Sequence, residues 1–499
     1  MTLFPLFTPG IGSLIVRALG FSQTTKTRPS KEVDAMTDLR SFLATVREQL
    51  PREFLDVEQQ VSPEYEIAAV VAKLEQRLRT PVLHFHNVEG SALPVVTNVA
   101  ASLPRIAKAA GWTQPELERR LISAYDHPIA PMIQEGDDAP VREIVERGDE
   151  VDLRRLPQCR YTEVETHPYI TAATVVARDP GCGALNLSYH RLMLLDHRRS
   201  GIFMTPGGHL ERIFRANAEC GEATPIAAFI GSHPLWALGS LASGSIAVDE
   251  YGVIGGLLGE PVDVVDGIDD KRLLVPARAE IVLEGRILPD ETAQEGPFGE
   301  FSGYATAKER APIVEFDLIS RRADAIYQDI VAGRAEHLCL SGTAIRAYLH
   351  RKLKQDFEIV GDLHLPAPFT LYLQLDKAAF PHLEIKAVLE TILRDLPFVK
   401  LAYAFDSDID LKNHRQTAWA IATRAQPDRD GVLLADRPGI KLDPSEAGGR
   451  TAKWAIDATA KPGLAAFPPI NRIPEDVLDR VSVDALLKPG AARKETDDA

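Results

Sequence analysis

The pattern of hydrophobic and polar residues along the first quarter of the chain predicts alternating helices and strands. Residues 39–50 have helical spacing after a Thr-Asp cap candidate, residues 54–61 are typical of a strand, and residues 63–79 are typical of a helix with a proline in its first turn. Two further strands, at 81–87 and 93–100, precede two more helices. Strands that alternate with helices indicate an α/β layer.

The pattern changes near residue 140, after a linker at 127–140 that is rich in Pro, Gly and Asp. Short apolar runs separated by turn residues then predict a β-rich domain, built as a barrel or a sandwich. One helix, at 209–218, is expected inside it. The α/β pattern returns after residue 325, and residues 473–487 predict a terminal helix.

Composition and charge narrow the class of protein. The 499 residues include 56 Lys and Arg against 71 Asp and Glu, a net charge of −15, which argues against a nucleic-acid binder and against docking on anionic lipid. No uncharged apolar run reaches about 18 residues, so we expect no membrane span. The four cysteines have no CxxC spacing, which predicts free thiols in a reducing cytoplasm, with Cys182 as a small buried residue.

The most informative segment is residues 295–300, Glu-Gly-Pro-Phe-Gly-Glu. On a plain strand, side chains five positions apart face opposite ways, but the glycines let the backbone fold back, so that Glu295 and Glu300 could reach one space. Two carboxylates in one pocket repel each other and one pKa rises, as a proton donor near neutral pH requires. From spacing alone, a solvated acidic loop after a strand is the alternative.

A second segment, residues 186–191, is typical of a strand. Alternation places Asn186, Ser188 and His190 on one face, and Tyr189 and Arg191 on the other. A lone arginine on a strand is usually a surface residue or part of a structural ion pair. An arginine that faces a carboxylate pair could instead hold one carboxylate ionised and orient an anionic substrate.

Two glycine-rich segments complete the candidate chemistry. Gly208 and His209 end a Thr-Pro-Gly-Gly-His turn at a helix start, where free backbone N–H groups suit a phosphate and His209 is a candidate metal ligand. Glu250 precedes Gly255 and Gly256. The spacing of His209 and Glu250 is not a metal motif by itself, and a capping or core histidine is the alternative.

Taken together, these segments resemble the UbiD family of decarboxylases, which use prenylated flavin mononucleotide (FMN). The strongest match runs from residue 276 to 285 and on to 295–304, and the resemblance spans nearly all of residues 39–470. It refines the α/β fold class to a multi-domain α+β chain whose central split β-barrel binds the flavin. The expected divisions are a disordered extension (1–38), an N-terminal α/β domain (39–135), the barrel domain (136–325), a C-terminal α/β domain with the terminal helix (326–488) and a polar tail (489–499).

The resemblance also implies roles for individual residues. Arg191, Glu295 and Glu300 match the catalytic residues, with Glu300 as the proton donor. A divalent metal, Mn²⁺ or Mg²⁺, that bridges to the flavin phosphate is expected on Asn186, His209 and Glu250. Potassium is expected near Gly239, Ser240 and Ala242, and Lys400 and Arg394 are candidates for the flavin phosphate. The expected cofactor-binding residues are Asn186, Ser188, Tyr189, His190, Arg191, Gly208, His209 and Glu250.

The activity that this implies is reversible, non-oxidative decarboxylation of an aromatic, heteroaromatic or α,β-unsaturated acid. The alternatives are a carboxylase or decarboxylase of an aromatic acyl-CoA thioester, a flavin-binding protein without catalysis, and a metal hydrolase without flavin. The expected partners are a small carboxylic acid, a flavin prenyltransferase of the UbiX type and further copies of the chain in a homodimer or higher oligomer.

Overall fold

The structure, a computed structural model, describes residues 38–136, 138–242, 248–377, 379–380, 382–461, 468 and 470–486. The expected polar tail lies outside these residues, as does all of the expected N-terminal extension except Asp38. In the described part of the chain, no helix is both long enough and apolar enough to cross a membrane.

The described helices and strands follow each other along the whole chain. The helices are α1 Leu39–Gln49, α2 Glu66–Glu75, α3 Leu103–Ala109, α4 Gln114–Ala124, α5 His209–Glu219, α6 Pro234–Ser240, α7 Glu250–Leu258, α8 Ala335–Asp356, α9 Ile385–Asp395, α10 His414–Arg424, α11 Pro427–Asp430, α12 Glu475–Arg480 and α13 Val483–Leu486. The strands are β1 Phe54–Val57, β2 Val82–Phe85, β3 Val95–Thr97, β4 Met132–Ile133, β5 Ile144–Arg147, β6 Tyr169–Ile170, β7 Thr174–Arg178, β8 Leu185–Tyr189, β9 Leu192–Leu194, β10 Arg199–Ile202, β11 Thr224–Ile230, β12 Asp263–Asp266, β13 Leu274–Pro276, β14 Ile281–Glu295, β15 Glu309–Arg321, β16 Tyr327–Gln328, β17 Val360–Ala367, β18 Thr370–Leu375, β19 Leu401–Asp406, β20 Gly431–Pro438 and β21 Arg450–Asp457.

The N-terminal α/β layer has the elements that the sequence pattern predicts. Its sheet has the strand order β1-β2-β3-β16, so the chain returns to it at β16 after the central domain. Helix α1 begins where the Asp38 side chain accepts a hydrogen bond from the Ser41 backbone N–H at 2.8 Å, and it buries Phe42 and Val46. A separate three-stranded sheet, β13-β12-β4, uses two residues of the expected linker as β4.

The central domain is β-rich, as expected, and contains a nine-stranded antiparallel sheet. Its strand order is β6-β9-β10-β15-β14-β11-β7-β8, with β5 also paired to β15. The ladder between β14 and β15 shifts register at Gly285, where a Cβ would lie 2.1 Å from the Glu315 carbonyl oxygen. Only glycine fits this bulge. One face of the sheet packs against the N-terminal sheet in a shared core.

The expectation of one helix in the central domain was wrong, because α6 and α7 also lie there. Every residue of α6 is buried, as are seven of the nine residues of α7. A helix that is apolar all round has no polar face, so the spacing of its hydrophobic residues does not reveal it. Cys182 was also mispredicted: it is exposed, in a turn where Asp179 accepts hydrogen bonds from the Gly181 and Cys182 backbone N–H groups.

The C-terminal part is again α/β, with a sheet in the order β17-β18-β19-β21-β20. Its three inner strands are parallel and its two edge strands antiparallel. Helix α8, which the sequence analysis did not identify, leads into this part and packs on β17. The single terminal helix expected at residues 473–487 is two short helices, α12 and α13.

Candidate active site

Arg191 joins the two glutamates of the Glu-Gly-Pro-Phe-Gly-Glu segment in one buried cluster. Its Nε lies 2.7 Å from Glu295 Oε1 and its Nη2 2.8 Å from Glu295 Oε2, so this pair is bidentate. Its Nη1 donates to Glu300 Oε1. All three side chains are buried. Both carboxylates therefore contact one guanidinium, as the family resemblance implied.

The backbone explains how residues far apart in sequence meet here. Arg191 lies at the corner between β8 and β9, and Glu295 is the last residue of β14. Gly296 then adopts a positive φ of 87°, which favours glycine. The loop folds back, since the Glu300 backbone N–H bonds to the Tyr304 carbonyl at 3.0 Å. Buried Glu165 holds the same loop by accepting from the Gly299 N–H at 3.3 Å.

Aromatic rings enclose the guanidinium. The Arg191 Cζ lies 4.2 Å from the centre of the Phe203 ring and 4.5 Å from that of Phe298, which are cation–π distances. Burial alone would lower the pKa of Arg191, but its hydrogen bonds to Glu295 and the negative charges of Glu295 and Glu300 raise it above its ordinary value. Arg191 is thus a fixed positive charge between two acids.

The three residues expected to bind a metal also meet. Asn186 Nδ2 lies 3.2 Å from Glu250 Oε1 and 3.4 Å from His209 Nδ1. The residues come from β8 and from the first residues of α5 and α7. One amide, one imidazole and one carboxylate therefore converge from three elements that are distant in sequence.

Glycines let these two helices start in the required places. Gly207, with φ +78°, and Gly208 form the turn before His209, in which the Gly208 N–H bonds to the Thr205 carbonyl at 2.9 Å. In α7, a Cβ on Gly255 would lie 2.4 Å from the Ile129 carbonyl oxygen. The helix that carries Glu250 can pack this close to the chain only because that Cβ is missing.

Glu250 is a buried acid with neutral hydrogen-bond donors. Burial raises its pKa to about 8, although the Leu187 N–H at 3.3 Å and the Asn186 amide both donate to its carboxylate. A cation beside this carboxylate would favour its ionised form.

The strand face predicted for residues 186–190 is confirmed by hydrogen bonds along it. The Ser188 hydroxyl lies 3.2 Å from Asn186 Oδ1 and 2.9 Å from His190 Nε2. The other ring nitrogen of His190 bonds to the Phe203 carbonyl at 2.9 Å, and burial lowers the pKa of His190 to about 4. Tyr189, on the opposite face, packs against the helical core.

Several residues at this site were missed by the sequence analysis. Tyr169 is buried with its ring 4.6 Å from that of Phe298, and burial raises its pKa. His337 on α8 lies within electrostatic reach of Glu300, and burial lowers its pKa. The Phe301 ring contacts His337 at 6.1 Å and Phe369 at 5.5 Å between ring centres. Tyr169, His337 and Phe369 lie in no motif, and α8 itself was not identified.

The two basic residues considered for the flavin phosphate have other partners. Lys400 Nζ lies 2.7 Å from Asp443 Oδ2, and Arg394 Nη2 lies 2.5 Å from Glu390 Oε1 on its own helix. Both belong to the C-terminal part of the chain and pair with acids there in this structure.

Known proteins are similar to this chain over most of its length. Family models for 3-octaprenyl-4-hydroxybenzoate carboxy-lyase match residues 50–125 (N-terminal domain), 133–335 (Rift-related domain) and 339–458 (C-terminal domain). A curated relative, the anhydromevalonate phosphate decarboxylase of Methanothermobacter thermautotrophicus, is 30% identical over 440 residues, which cover 87% of this chain and 99% of the relative.

Solved structures agree in fold. The UbiD-class enzyme HmfF from Pelotomaculum thermopropionicum, in complex with FMN, is 32% identical, with a TM-score of 0.83 over 90% of this chain and all of that one. An evolved dimeric form of HmfF in complex with prenylated FMN has a TM-score of 0.80 at 30% identity, over 90% of this chain and 100% of that one. Vanillic acid decarboxylase from Sedimentibacter hydroxybenzoicus is 27% identical, with a TM-score of 0.79 over 91% of this chain and 100% of that one.

The fold, the site and these matches together define the class of protein, which is a carboxy-lyase. Because the three family models cover most of its length, the chain belongs to the UbiD family. The fold class and the family resemblance found from the sequence are therefore confirmed.

Proposed function

We propose that this chain decarboxylates a small unsaturated carboxylic acid with prenylated FMN as its cofactor, and that Arg191, Glu295 and Glu300 are its catalytic residues. One observation carries the proposal: a buried arginine contacts two buried carboxylates, one through two hydrogen bonds and the other through one. Such a cluster can receive a third carboxylate on the guanidinium and holds an acid where a proton must be delivered.

The residues present suit the metal and the flavin phosphate that the family implies. Asn186, His209 and Glu250 offer one oxygen, one nitrogen and one carboxylate, a donor set that fits Mn²⁺ or Mg²⁺. A half-turn of the Asn186 amide would point its oxygen rather than its nitrogen at the other two residues, as a cation requires. The turn before α5 has its backbone N–H groups at a helix start, which favours an anionic phosphate.

Potassium is a further part of the proposal. Ser240, at the end of α6, is buried, and its hydroxyl has no hydrogen-bond partner within the described residues. A hydroxyl oxygen of this kind can contact a cation. Gly239 and Ala242, the other two residues expected near potassium, flank it in sequence.

The positions of the side chains support the following mechanism. When it is bound, prenylated FMN supplies the electron sink that loss of CO₂ requires. Arg191 orients the substrate carboxylate through its guanidinium, and Glu295 holds that guanidinium in place. Phe203 and Phe298 cover the guanidinium and keep water from it. Once CO₂ has left, Glu300 delivers a proton to the α-carbon, and microscopic reversibility makes it the base in the exchange direction.

The substrate class includes aromatic, heteroaromatic and α,β-unsaturated acids. The similar proteins include a decarboxylase of vanillic acid and one of anhydromevalonate phosphate, so both aromatic and non-aromatic acids belong in the test panel. Reactions at high bicarbonate test the carboxylase alternative. Reactions with aromatic acyl-CoA thioesters test the acyl-CoA alternative.

The experiment is coexpression with a UbiX-type flavin prenyltransferase, followed by a screen of these acids for CO₂ release and for deuterium exchange at the product carbon. We expect turnover with at least one class and bound Mn²⁺ in the purified protein. Glu300→Gln should retain the flavin and lose exchange. Full exchange in Glu300→Gln would contradict its role as the acid, and a flavin-loaded protein inactive on every acid would favour the non-catalytic alternative.

We also propose a homodimer or higher homo-oligomer and a cytoplasmic location. An evolved form of HmfF is dimeric, and the four cysteines of this chain are free. Light scattering after size-exclusion chromatography tests the first proposal, and cell fractionation with an antibody to the chain tests the second.

A further inference from the structure

A second group of possible metal ligands lies on the N-terminal sheet. Asp56 on β1 is the register partner of His84 on β2, and His86 follows His84 by two residues. Residues opposite each other on paired strands, and residues two apart on one strand, share a face of the sheet. Asp56, His84 and His86 therefore point to the same side, and Glu58 follows Asp56 at the same spacing.

The distances in this group suit a metal ion. Asp56 Oδ1 lies 3.7 Å from His84 Nδ1 and 2.7 Å from His86 Nε2, the second distance being a hydrogen bond that a bound ion would replace, and one ligand atom from each of the three residues lies within 4.8 Å of the others. A tetrahedral ion with bonds of about 2.0–2.1 Å holds its ligand atoms about 3.4 Å apart. Glu58 Oε1, 3.7 Å from His86 Nε2, is close enough to supply a fourth ligand.

His84 has polar atoms without a hydrogen-bond partner. Both of its ring nitrogens are buried and neither is hydrogen-bonded within the described part of the chain. Buried polar atoms nearly always have a partner, and a bound ion is one explanation when none is found. The side chain of His84 is 12% exposed and that of His86 34% exposed, so the group opens to solvent at His86 and an ion could enter there.

A positive charge already contacts this group. Arg47 Nη2 on α1 lies 2.6 Å from Asp56 Oδ1, and its side chain is 53% exposed. The Arg47 guanidinium also covers the Phe54 ring at 4.5 Å. Because Arg47 is half in solvent, it can leave the carboxylate at little cost, but its charge competes with a metal cation for the same oxygen.

We propose that Asp56, His84 and His86 bind a divalent transition-metal ion of the zinc type, with Glu58 within reach as a fourth ligand. Two imidazoles and one carboxylate favour Zn²⁺ over Mg²⁺ or Ca²⁺, which prefer all-oxygen sites. The ion would cross-link β1, at the edge of the sheet, to β2. This site lies on a different sheet from Asn186, so it is separate from the metal group of the proposed function.

The test is equilibrium dialysis of the untagged, full-length, Mn²⁺-saturated protein against Zn²⁺. We expect the wild type to bind one Zn²⁺ at this site. The Zn²⁺ affinity of His86→Ala should be more than about 100-fold lower, because the loss of a residue that only supports a metal ligand already lowers affinity about 10- to 100-fold. Arg47→Ala should bind Zn²⁺ more tightly. His197→Ala, which removes an exposed histidine beside Asp196, is the matched control and should bind as the wild type does.

A second readout is thermal unfolding, because a ligand that binds only the folded state raises the melting temperature. Zn²⁺ should raise it in the wild type and in His197→Ala but not in His86→Ala or Asp56→Asn. We expect these variants to fold, because the side chains of His86 and Asp56 are 34% and 37% exposed, and circular dichroism checks this. Equal Zn²⁺ affinity in the wild type and His86→Ala, or weaker binding in Arg47→Ala, would overturn the proposal.

Discussion

Replacing Glu295 by glutamine tests how far Arg191, the proposed catalytic arginine, depends on one acid. The wild-type pair has two charge-assisted hydrogen bonds, of 2.7 and 2.8 Å, between side chains that are 6% and 1% exposed. Each such bond is worth about 1.5–3 kcal/mol. Glutamine keeps one acceptor oxygen but turns an NH₂ group toward the second guanidinium donor. We therefore expect the guanidinium to lose about 2–4 kcal/mol of its anchoring. Where the transition state needs Arg191 held in the same position, this loss corresponds to about 30- to 1,000-fold in kcat/KM.

The assay is decarboxylation of the best acid found in the screen, with flavin content measured on the same samples. Glu309→Gln is the matched control, because Glu309 is the register partner of Glu295 across the ladder but is partly exposed and pairs with Lys441. We expect the control to stay within about twofold of the wild type, as surface ion pairs contribute little. A Glu295→Gln enzyme with more than half of the wild-type kcat/KM, at equal flavin content, would refute the reasoning.

Three further predictions concern metal binding and stability. Glu250→Gln should lower the Mn²⁺ content and the retained flavin, measured by elemental analysis and absorbance. Burial raises the pKa of Asp329 from 3.8 to about 6, so ionisation of this carboxyl opposes folding. The free energy of unfolding of the wild type, compared with that of Asp329→Asn, should be highest below pH 3.8 and fall by about 3 kcal/mol as the pH rises through 6. Urea unfolding at a series of pH values measures this difference. Glu336→Ala should lower the melting temperature. The Glu336 carboxylate accepts hydrogen bonds of 2.7 Å from the buried backbone N–H groups of Asn98 and Ala100. Without that acceptor, each N–H group costs about 1–3 kcal/mol of folding stability.

Local sequence was enough to predict the strand face at residues 186–190, because alternation is a local property. It also showed that Glu295 and Glu300 could meet, since the glycines between them allow the chain to reverse. Spacing alone left a solvated acidic loop as the alternative, and it was the family resemblance that implied that both glutamates belong to one site with Arg191.

Contacts between distant segments were beyond such reasoning. Asn186, His209 and Glu250 form one group only because β8, α5 and α7 pack together, and their spacing alone does not indicate this. The family resemblance supplied that information. The helices α6 and α7 were missed because they are apolar all round, and His337 was missed because its helix, α8, was not identified.

Phe301 has a consequence for protein engineering. It directly follows Glu300, and its ring touches Phe369, which lies between β17 and β18 with a φ of 61°. The position of the acid is thereby tied to a side chain supplied from beyond residue 339. A chimera that takes its last third from another decarboxylase would have to keep an aromatic ring at position 369, or the transplanted part would leave Glu300, the proposed proton donor, unsupported.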